Sequence, residues 1–145
     1  MQESIQGQRV YLLDTNVISE SRKGKKANLG TQAFWRSVDL DAIYLPAQSI
    51  GEIRRGIEIV KRRGDSAQAK MLETWLQTLT TEYADRILSF DDGCAQVWGC
   101  LMSADNQHPI DKQIAAIALI HSMTVVTRNT SDFIGTGVSL VNPFS

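Results

Sequence analysis

Very short apolar runs alternate with longer stretches of helical periodicity along this chain, and that alternation restricts it to one class of fold. Val10–Leu13 is an apolar run that stops at Asp14. Ile43–Leu45, Ile87–Leu88, Thr124–Thr127 and Val138–Val141 are further runs, the last halted by Asn142 and Pro143. Runs this short and this apolar read as strands buried on both faces, the habit of parallel sheets. Between them the spacing is helical. Residues 15–22 form a short helical segment, and Phe34, Trp35 and Val38 share a helical face. Ile50, Ile53, Ile57 and Val60 recur from Ser49 to a stop at Gly64. Met71, Leu72, Trp75, Leu76 and Leu79 line one side of a second helix over 66–84, and the short turn between the two predicts an antiparallel pair. Asp91 and Asp92 cap a helix carrying Ala95, Val97, Trp98, Leu101 and Met102, and Asp111 opens one containing Ile114–Ile120. Strands alternating with helices predict an α/β fold: a central, mostly parallel five-stranded sheet with helices on both faces and a protruding helical pair. The length of 145 residues suits one domain, over 10–145, behind a polar leader at 1–9.

Composition narrows the function classes. A hydrophobic content of 43% supports one ordinary core, and a net charge of -1 means that any nucleic acid must be held by a local basic patch. No apolar run approaches the roughly 20 residues that span a bilayer, and Met1–Gln8 lacks an apolar signal core, so a soluble, cytoplasmic protein without membrane attachment is expected. Cys94 and Cys100 are separated by about 600° of helical rotation and point to different faces, so they read as buried small hydrophobes in a reducing compartment. No Cys/His cluster has zinc spacing and no Gly-rich phosphate loop is present. His108 and His121 are isolated, and His121 reads as a structural or surface residue.

The remaining chemistry is acidic. Taken singly, each acid has a structural use. Asp14 can cap the helix that follows its strand, Ser49 and Glu52 have the spacing of a capping box, Asp111 can cap the helix that carries Ile114–Ile120, and Asp132 can start a turn. Together they say more. In a parallel sheet the C-terminal strand ends share one rim, where open α/β sheets bind ligands. Asp14 ends the first strand, Glu52 lies in the helix after the second, and Asp132 follows the fourth. The place of Asp111 depends on how the two preceding helices pack. Carboxylates brought together repel, and a hard cation such as Mg²⁺ or Mn²⁺ resolves the repulsion.

Five blocks then become recognisable. Leu12–Glu20 (LLDTNVISE), Ser49–Gly56 (SIGEIRRG), Ile110–Ala118 (IDKQIAAIA), Thr127–Phe133 (TRNTSDF) and Gly137–Phe144 (GVSLVNPF) resemble, in order and spacing, the motifs of PIN-domain nucleases. The chain looks most like the toxin subunits of VapBC-type toxin–antitoxin pairs and the related FitB-like proteins. The resemblance implies a three-layer PIN-like fold and a Mg²⁺- or Mn²⁺-dependent endoribonuclease inhibited by a small cognate antitoxin. It carries catalytic and metal-binding roles to Asp14, Glu52, Asp111 and Asp132. Asp132 is assigned as the fourth acid and Asn129 as its polar companion, although relatives differ in which of the two positions is acidic. Thr15 and Asn16 are supporting groups that orient Asp14 or bind phosphate. Family habit also implies a homodimer, an antitoxin arginine paired with the acids, and a larger toxin–antitoxin complex on operator DNA.

Basic residues flank these acids: Arg22, Lys23, Lys25 and Lys26 after the first motif, and Arg54, Arg55, Lys61, Arg62 and Arg63 after Glu52. Arg22, Lys23, Arg54 and Arg55 are the expected contacts to an RNA backbone, while Lys61–Arg63 read equally as solvated charge. Tyr44, Trp35 and Trp75 are the aromatics able to stack on bases, though their spacing is that of core residues. Two other readings stand beside the nuclease. One is a non-catalytic module that binds an antitoxin and helps it repress its operon. The other is a different phosphohydrolase, disfavoured because an aspartyl-nucleophile enzyme would carry an acid where this chain has Asn16.

Overall fold

All five apolar runs form strands in the computed structural model, which describes residues 9–145: β1 (Tyr11–Leu13), β2 (Ile43–Pro46), β3 (Ile87–Leu88), β4 (Thr124–Val126) and β5 (Ser139–Val141). The leader expected over 1–9 lies, apart from its last residue, outside the described residues. The helices are α1 (Thr15–Ser21), α2 (Leu29–Ser37), α3 (Ala47–Arg62), α4 (Ser66–Glu82), α5 (Asp92–Ala104) and α6 (Pro109–His121).

The sheet order is β3-β2-β1-β4-β5, and every neighbouring pair is parallel, so the sheet is wholly rather than mostly parallel. Strands are added outward from β1 on one side as far as β3. The chain then crosses back, and β4 and β5 extend the other side. The crevice outside the C-terminal ends of β1 and β4 is therefore the topological switch point, the ligand position in open α/β sheets.

Strand alternation divides the core in two. Leu13, Ile43, Leu45 and Val126 pack with Val17, Ile18, Ile53 and Ile57 on one face. Leu12 and Val125 pack with Ile114, Ala115, Ile117 and Phe133 on the other. The twofold period of the strand places adjacent residues on opposite faces. On α6, Ile114–Ala118 are all fully buried, because the helix is covered by the sheet on one side and by α5 on another. Three of those five residues are alanine, which lets backbone approach backbone where a longer side chain would not fit.

The predicted helical pair is α3 and α4. Gly64 at φ 85° makes the turn that lets the chain reverse, and Asp65 caps α4 by accepting from the Gln68 N–H at 3.2 Å. Met71 does not join the seam as expected. It is 69% exposed, because the buried line of α4 runs through Ala69, Leu76 and Leu79.

Two predicted caps are corrected. β2 runs straight into α3 through Pro46, which is the N-cap, so Ser49 and Glu52 lie inside the helix and make no capping box. α6 starts at Pro109, the favoured first-turn residue, with His108 as N-cap, so Asp111 is its third residue and not its cap. Asp132 lies inside a 3-10 turn, Thr130–Phe133. Cys94 is buried as expected, whereas Cys100 is exposed; both are free thiols.

The double coverage of α6 sets an expectation. Ile117→Ala should cost about 2–5 kcal/mol, read as a lower denaturation midpoint. Ile59→Ala, at a 39% exposed position on α3, should stay within about 0.5 kcal/mol.

Candidate active site

The site is built outward from Asp14. Its backbone N–H donates to the Val126 carbonyl at 2.9 Å, carrying the β1–β4 ladder one residue past the end of β1. That bond fixes the carboxylate at the switch point, where the residue is only 4% exposed. Oδ1 accepts from the Thr15 N–H at 2.8 Å, which makes Asp14 the true N-cap of α1. Oδ2 accepts from the Thr127 hydroxyl at 2.8 Å and from the Asn16 side-chain amide at 3.3 Å. Burial raises the Asp14 pKa, the Thr127 and Thr15 hydrogen bonds oppose the rise, and the charge of Glu52 adds to it. Thr15, through its N–H, and Asn16, through its side-chain amide, thus both bond the Asp14 carboxylate. Asn16 also ties the loop after β4, since its Oδ1 accepts from the Arg128 N–H at 3.0 Å. Thr127, which sequence reasoning placed at the end of a strand and the start of a motif without a role of its own, is the buried donor that the carboxylate depends on.

Glu52 projects from α3 and is exposed. The Thr15 hydroxyl donates to it and also shares a hydrogen bond with the Ser49 hydroxyl at 2.9 Å. Ser49 therefore brackets α1 to α3, which is the physical use of the side chain once assigned to capping.

Asp111 enters from the first turn of α6, half-buried, at a helix N-terminus that favours negative charge. Its pKa is nevertheless pushed up to about 6, by burial first, then by the charges of Asp14 and Asp132, with His108 opposing and Glu52 adding. The fields of the other three predicted acids therefore converge on Asp111. Asp132 reaches the group from the turn after β4. Asn129 is exposed, and its described role is the N–H it donates to the Thr127 hydroxyl at 3.0 Å.

His108 was passed over as isolated in sequence, yet it stands among the acids. Its Nε2 is 3.6 Å from Asp132 Oδ1 and its Nδ1 is 3.9 Å from Asp111 Oδ2. One ligand atom from each of the three lies within 4.8 Å of the others. The available signal was position: His108 precedes α6 and lies three residues before Asp111, close enough to share its surroundings.

This donor set fits a hard divalent cation. Asp14 is buried, Asp111 is raised by neighbouring charge, and among the described residues no lysine or arginine forms an ion pair with any of the four acids. Asp14, Glu52, Asp111 and Asp132 would hold such an ion through oxygen.

The basic residues are less available than the sequence implied. Arg54 is corrected as a substrate contact: it is bound to Glu73 through both terminal nitrogens, at 2.8 and 2.6 Å, and to Glu58 at 3.0 Å, clamping α3 to α4. Lys61 joins the same cluster through Glu58 at 3.1 Å. Lys23 pairs with Glu20 at 2.9 Å, and the Arg22 guanidinium lies 5.9 Å from the centre of the Trp75 ring. Trp35 and Tyr44 pack against the two cores and are only partly buried. Arg55 is exposed and lines, with Gln48, Glu52 and Ile110, a groove of about 470 Å³ beside the acids. Arg128, not singled out from sequence, is exposed on the loop after β4, with its guanidinium 4.8 Å from the centre of the Phe144 ring.

The PIN domain profile matches residues 11–136. The chain is 33% identical to toxin FitB of Neisseria gonorrhoeae over 140 residues, covering 93% of this chain and 99% of that protein. It is 30% identical to VapC ribonuclease Y4jK of Sinorhizobium fredii over 142 residues, covering 93% and 98%. It also superposes on the FitAcB crystal structure from Neisseria gonorrhoeae with a TM-score of 0.82 at 34% identity, covering 92% of this chain and 98% of that one. The structure of FitAB bound to an IR36 DNA fragment gives 0.77 at 33% identity, with coverages of 94% and 96%.

The raised Asp111 pKa has a definite sign. The folded value of about 6 lies above the ordinary 3.8, so its stabilising contribution is full below 3.8 and is lost as pH rises to about 6. Chelated protein should lose stability across that interval relative to Asp111→Asn, measured by denaturant titration at a series of pH values. A saturating divalent cation should remove the difference. Glu20, Glu58, Glu73 and Asp91 have lowered values and slope the opposite way, which is why the comparison is with the variant.

Proposed function

This chain belongs to the PIN-domain family, and on that premise we propose that it is the endoribonuclease toxin of a toxin–antitoxin pair, using Mg²⁺ or Mn²⁺ held by Asp14, Glu52, Asp111 and Asp132. The observation that carries the reading is the assembly of these acids, from β1, α3, α6 and the turn after β4, at the switch point of the sheet, with no lysine or arginine ion-paired to them among the described residues. A toxin called FitB and a ribonuclease called VapC, each matched over nearly its whole length, support it.

The residues divide the work. Asp14 is immobilised by Thr127, Asn16 and the Thr15 N–H, so its free lone pairs face the crevice in a fixed direction. Thr15 steadies Glu52, which is otherwise an exposed side chain free to rotate. Asp111 and Asp132 close the other side. A divalent cation bound by these carboxylates supplies Lewis acidity towards a phosphoryl oxygen and eases deprotonation of the attacking water. Arg55, which lines a groove with Glu52, and Arg128, whose backbone N–H donates to Asn16 and whose exposed guanidinium lies over the Phe144 ring, are the phosphate contacts favoured here over Arg54. An RNA backbone held between them would lie across the acids.

The partners follow from the same reading: RNA as substrate, a cognate antitoxin that covers the acids, a homodimer, and a toxin–antitoxin complex on operator DNA, all in the cytoplasm. The matched complex containing DNA supports the last assembly.

Single-stranded RNA should be cut in Mg²⁺ or Mn²⁺ and left whole in excess EDTA. Asp14→Asn, which keeps the helix cap, should lower the rate beyond the about 10- to 100-fold typical of outer-shell losses. Undiminished cutting in EDTA would overturn the proposal. Expression of the wild type without a partner should arrest growth and Asp14→Asn should relieve it; arrest by both would favour the non-catalytic module.

A further inference from the structure

We propose that His108 is a ligand of the divalent cation, contributing one ring nitrogen to the acidic site and making that site favour Mn²⁺ over Mg²⁺. The inference rests on the reading of the acids as a metal site and adds to it a nitrogen donor that the acidic motifs do not include.

The distances are those of ligands around a centre. At 3.6 and 3.9 Å from the nearest carboxylate oxygens, the imidazole is too far for a hydrogen bond to either. Atoms bonded to one ion at about 2.1 Å stand about 3.0 Å apart when cis and about 4.2 Å apart when trans; the 3.6 Å from Nε2 to Asp132 Oδ1 falls between these limits, and one ligand atom each from His108, Asp111 and Asp132 lies within 4.8 Å of the others. His108 makes no side-chain cap hydrogen bond at the start of α6, so its ring is not engaged by the helix it precedes.

The chain also holds His108 in this position. Its backbone is left-handed, at φ 54° and ψ 58°, an uncommon conformation for a residue with a side chain. The loop before it is clamped by Lys112, a lysine only 3% exposed. The Lys112 ammonium donates to the Gln107 carbonyl and lies 3.6 Å from Asp105 Oδ2, while Asp105 Oδ1 accepts from the Gln107 N–H at 3.1 Å. A cation in the first turn of a helix opposes the helix dipole, and here the loop's own acceptors compensate it. Lys112 is a positioning residue: it fixes the segment that presents the imidazole.

The consequence is selectivity. Mg²⁺ prefers an all-oxygen shell, whereas imidazole suits later transition ions, and affinity rises from Mn²⁺ onward along that series. One nitrogen among the carboxylates therefore favours Mn²⁺.

The test uses the full untagged chain, freed of metal by chelation. Mn²⁺ binding is followed by the loss of the aqueous Mn²⁺ EPR signal, and Mg²⁺ binding by competition. Pulsed EPR should show ¹⁴N coupling from a directly bound imidazole. His121, the other histidine, is at the far end of α6, about 20 Å away along the helix. His108→Gly, which suits the left-handed backbone, should abolish the ¹⁴N coupling and weaken Mn²⁺ binding by about tenfold or more, leaving Mg²⁺ binding nearly unchanged. His108→Asn, also at ease in that conformation, should lose the coupling as well. Mn²⁺ binding without ¹⁴N coupling in the wild type, or an unchanged or tighter Mn²⁺ affinity in His108→Gly, would overturn the role of His108 and leave the acidic site standing. Failure of the wild type to bind either ion would overturn both.

Discussion

A single buried carboxylate organises this molecule. Asp14 is joined to β4 through its backbone and to Thr127 through its side chain, so the seam between β1 and β4 and the centre of the site are the same place. Burying a carboxylate is costly unless hydrogen bonds or a cation compensate it. Thr127, Asn16 and the Thr15 N–H provide part of that compensation, and they come from the two sides of the switch point. The same contacts that lower the cost of burial also aim the remaining lone pairs. Position and chemistry are therefore not separable here: the bonds that close the seam are the bonds that hold the carboxylate.

The sheet order explains why the other acids arrive. Because all strands are parallel, the segment leaving each C-terminal end starts at the same rim. α3 leaves β2 without a loop, which brings Glu52 to that rim in its second turn, and the turn after β4 brings Asp132. Asp111 arrives by another route. It lies at the start of α6, the helix that runs back across the sheet into β4, and the N-terminus of a helix antiparallel to its strand sits at the strand's C-terminal end. The burial of Lys112 and of Ile114–Ala118 in the middle of α6 keeps this placement fixed.

Much of this was legible in the sequence, for identifiable reasons. Strands buried on both faces must be apolar throughout, so runs such as Val10–Leu13 and Thr124–Thr127 announced themselves, and acids at their ends stood out by contrast. Side-chain partnerships across long separations were not legible. Ser49 and Glu52 had the local spacing of a capping box, but their partner is Thr15, which only the packing of α1 on α3 supplies. Arg54 looked like a phosphate contact because its neighbour in sequence is an acid of the site; the structure turns it to Glu73 on α4. His108 looked isolated because Asp132 is remote in sequence, and the crossing from α6 through β4 brings them together. Local pattern fixed which elements form, and tertiary contact decided what their polar groups do.

Charge distribution links the metal reading to the substrate reading. The chain has 15 lysines and arginines against 16 acids, and several of its cations are engaged with acids remote from the site, Arg54 and Lys61 with Glu58 and Glu73, and Lys23 with Glu20. The crevice is thus left with the fields of four carboxylates and little opposing charge, which repels a polyanion. Under the proposed function, a divalent cation must therefore neutralise the crevice before an RNA backbone can enter it, as well as activate the phosphate once there. Arg55 and Arg128, at the edges, can attract the backbone but cannot cancel a field that converges on Asp111. Metal and RNA should accordingly bind with positive coupling, each raising the affinity of the other by the same factor, as thermodynamic linkage requires.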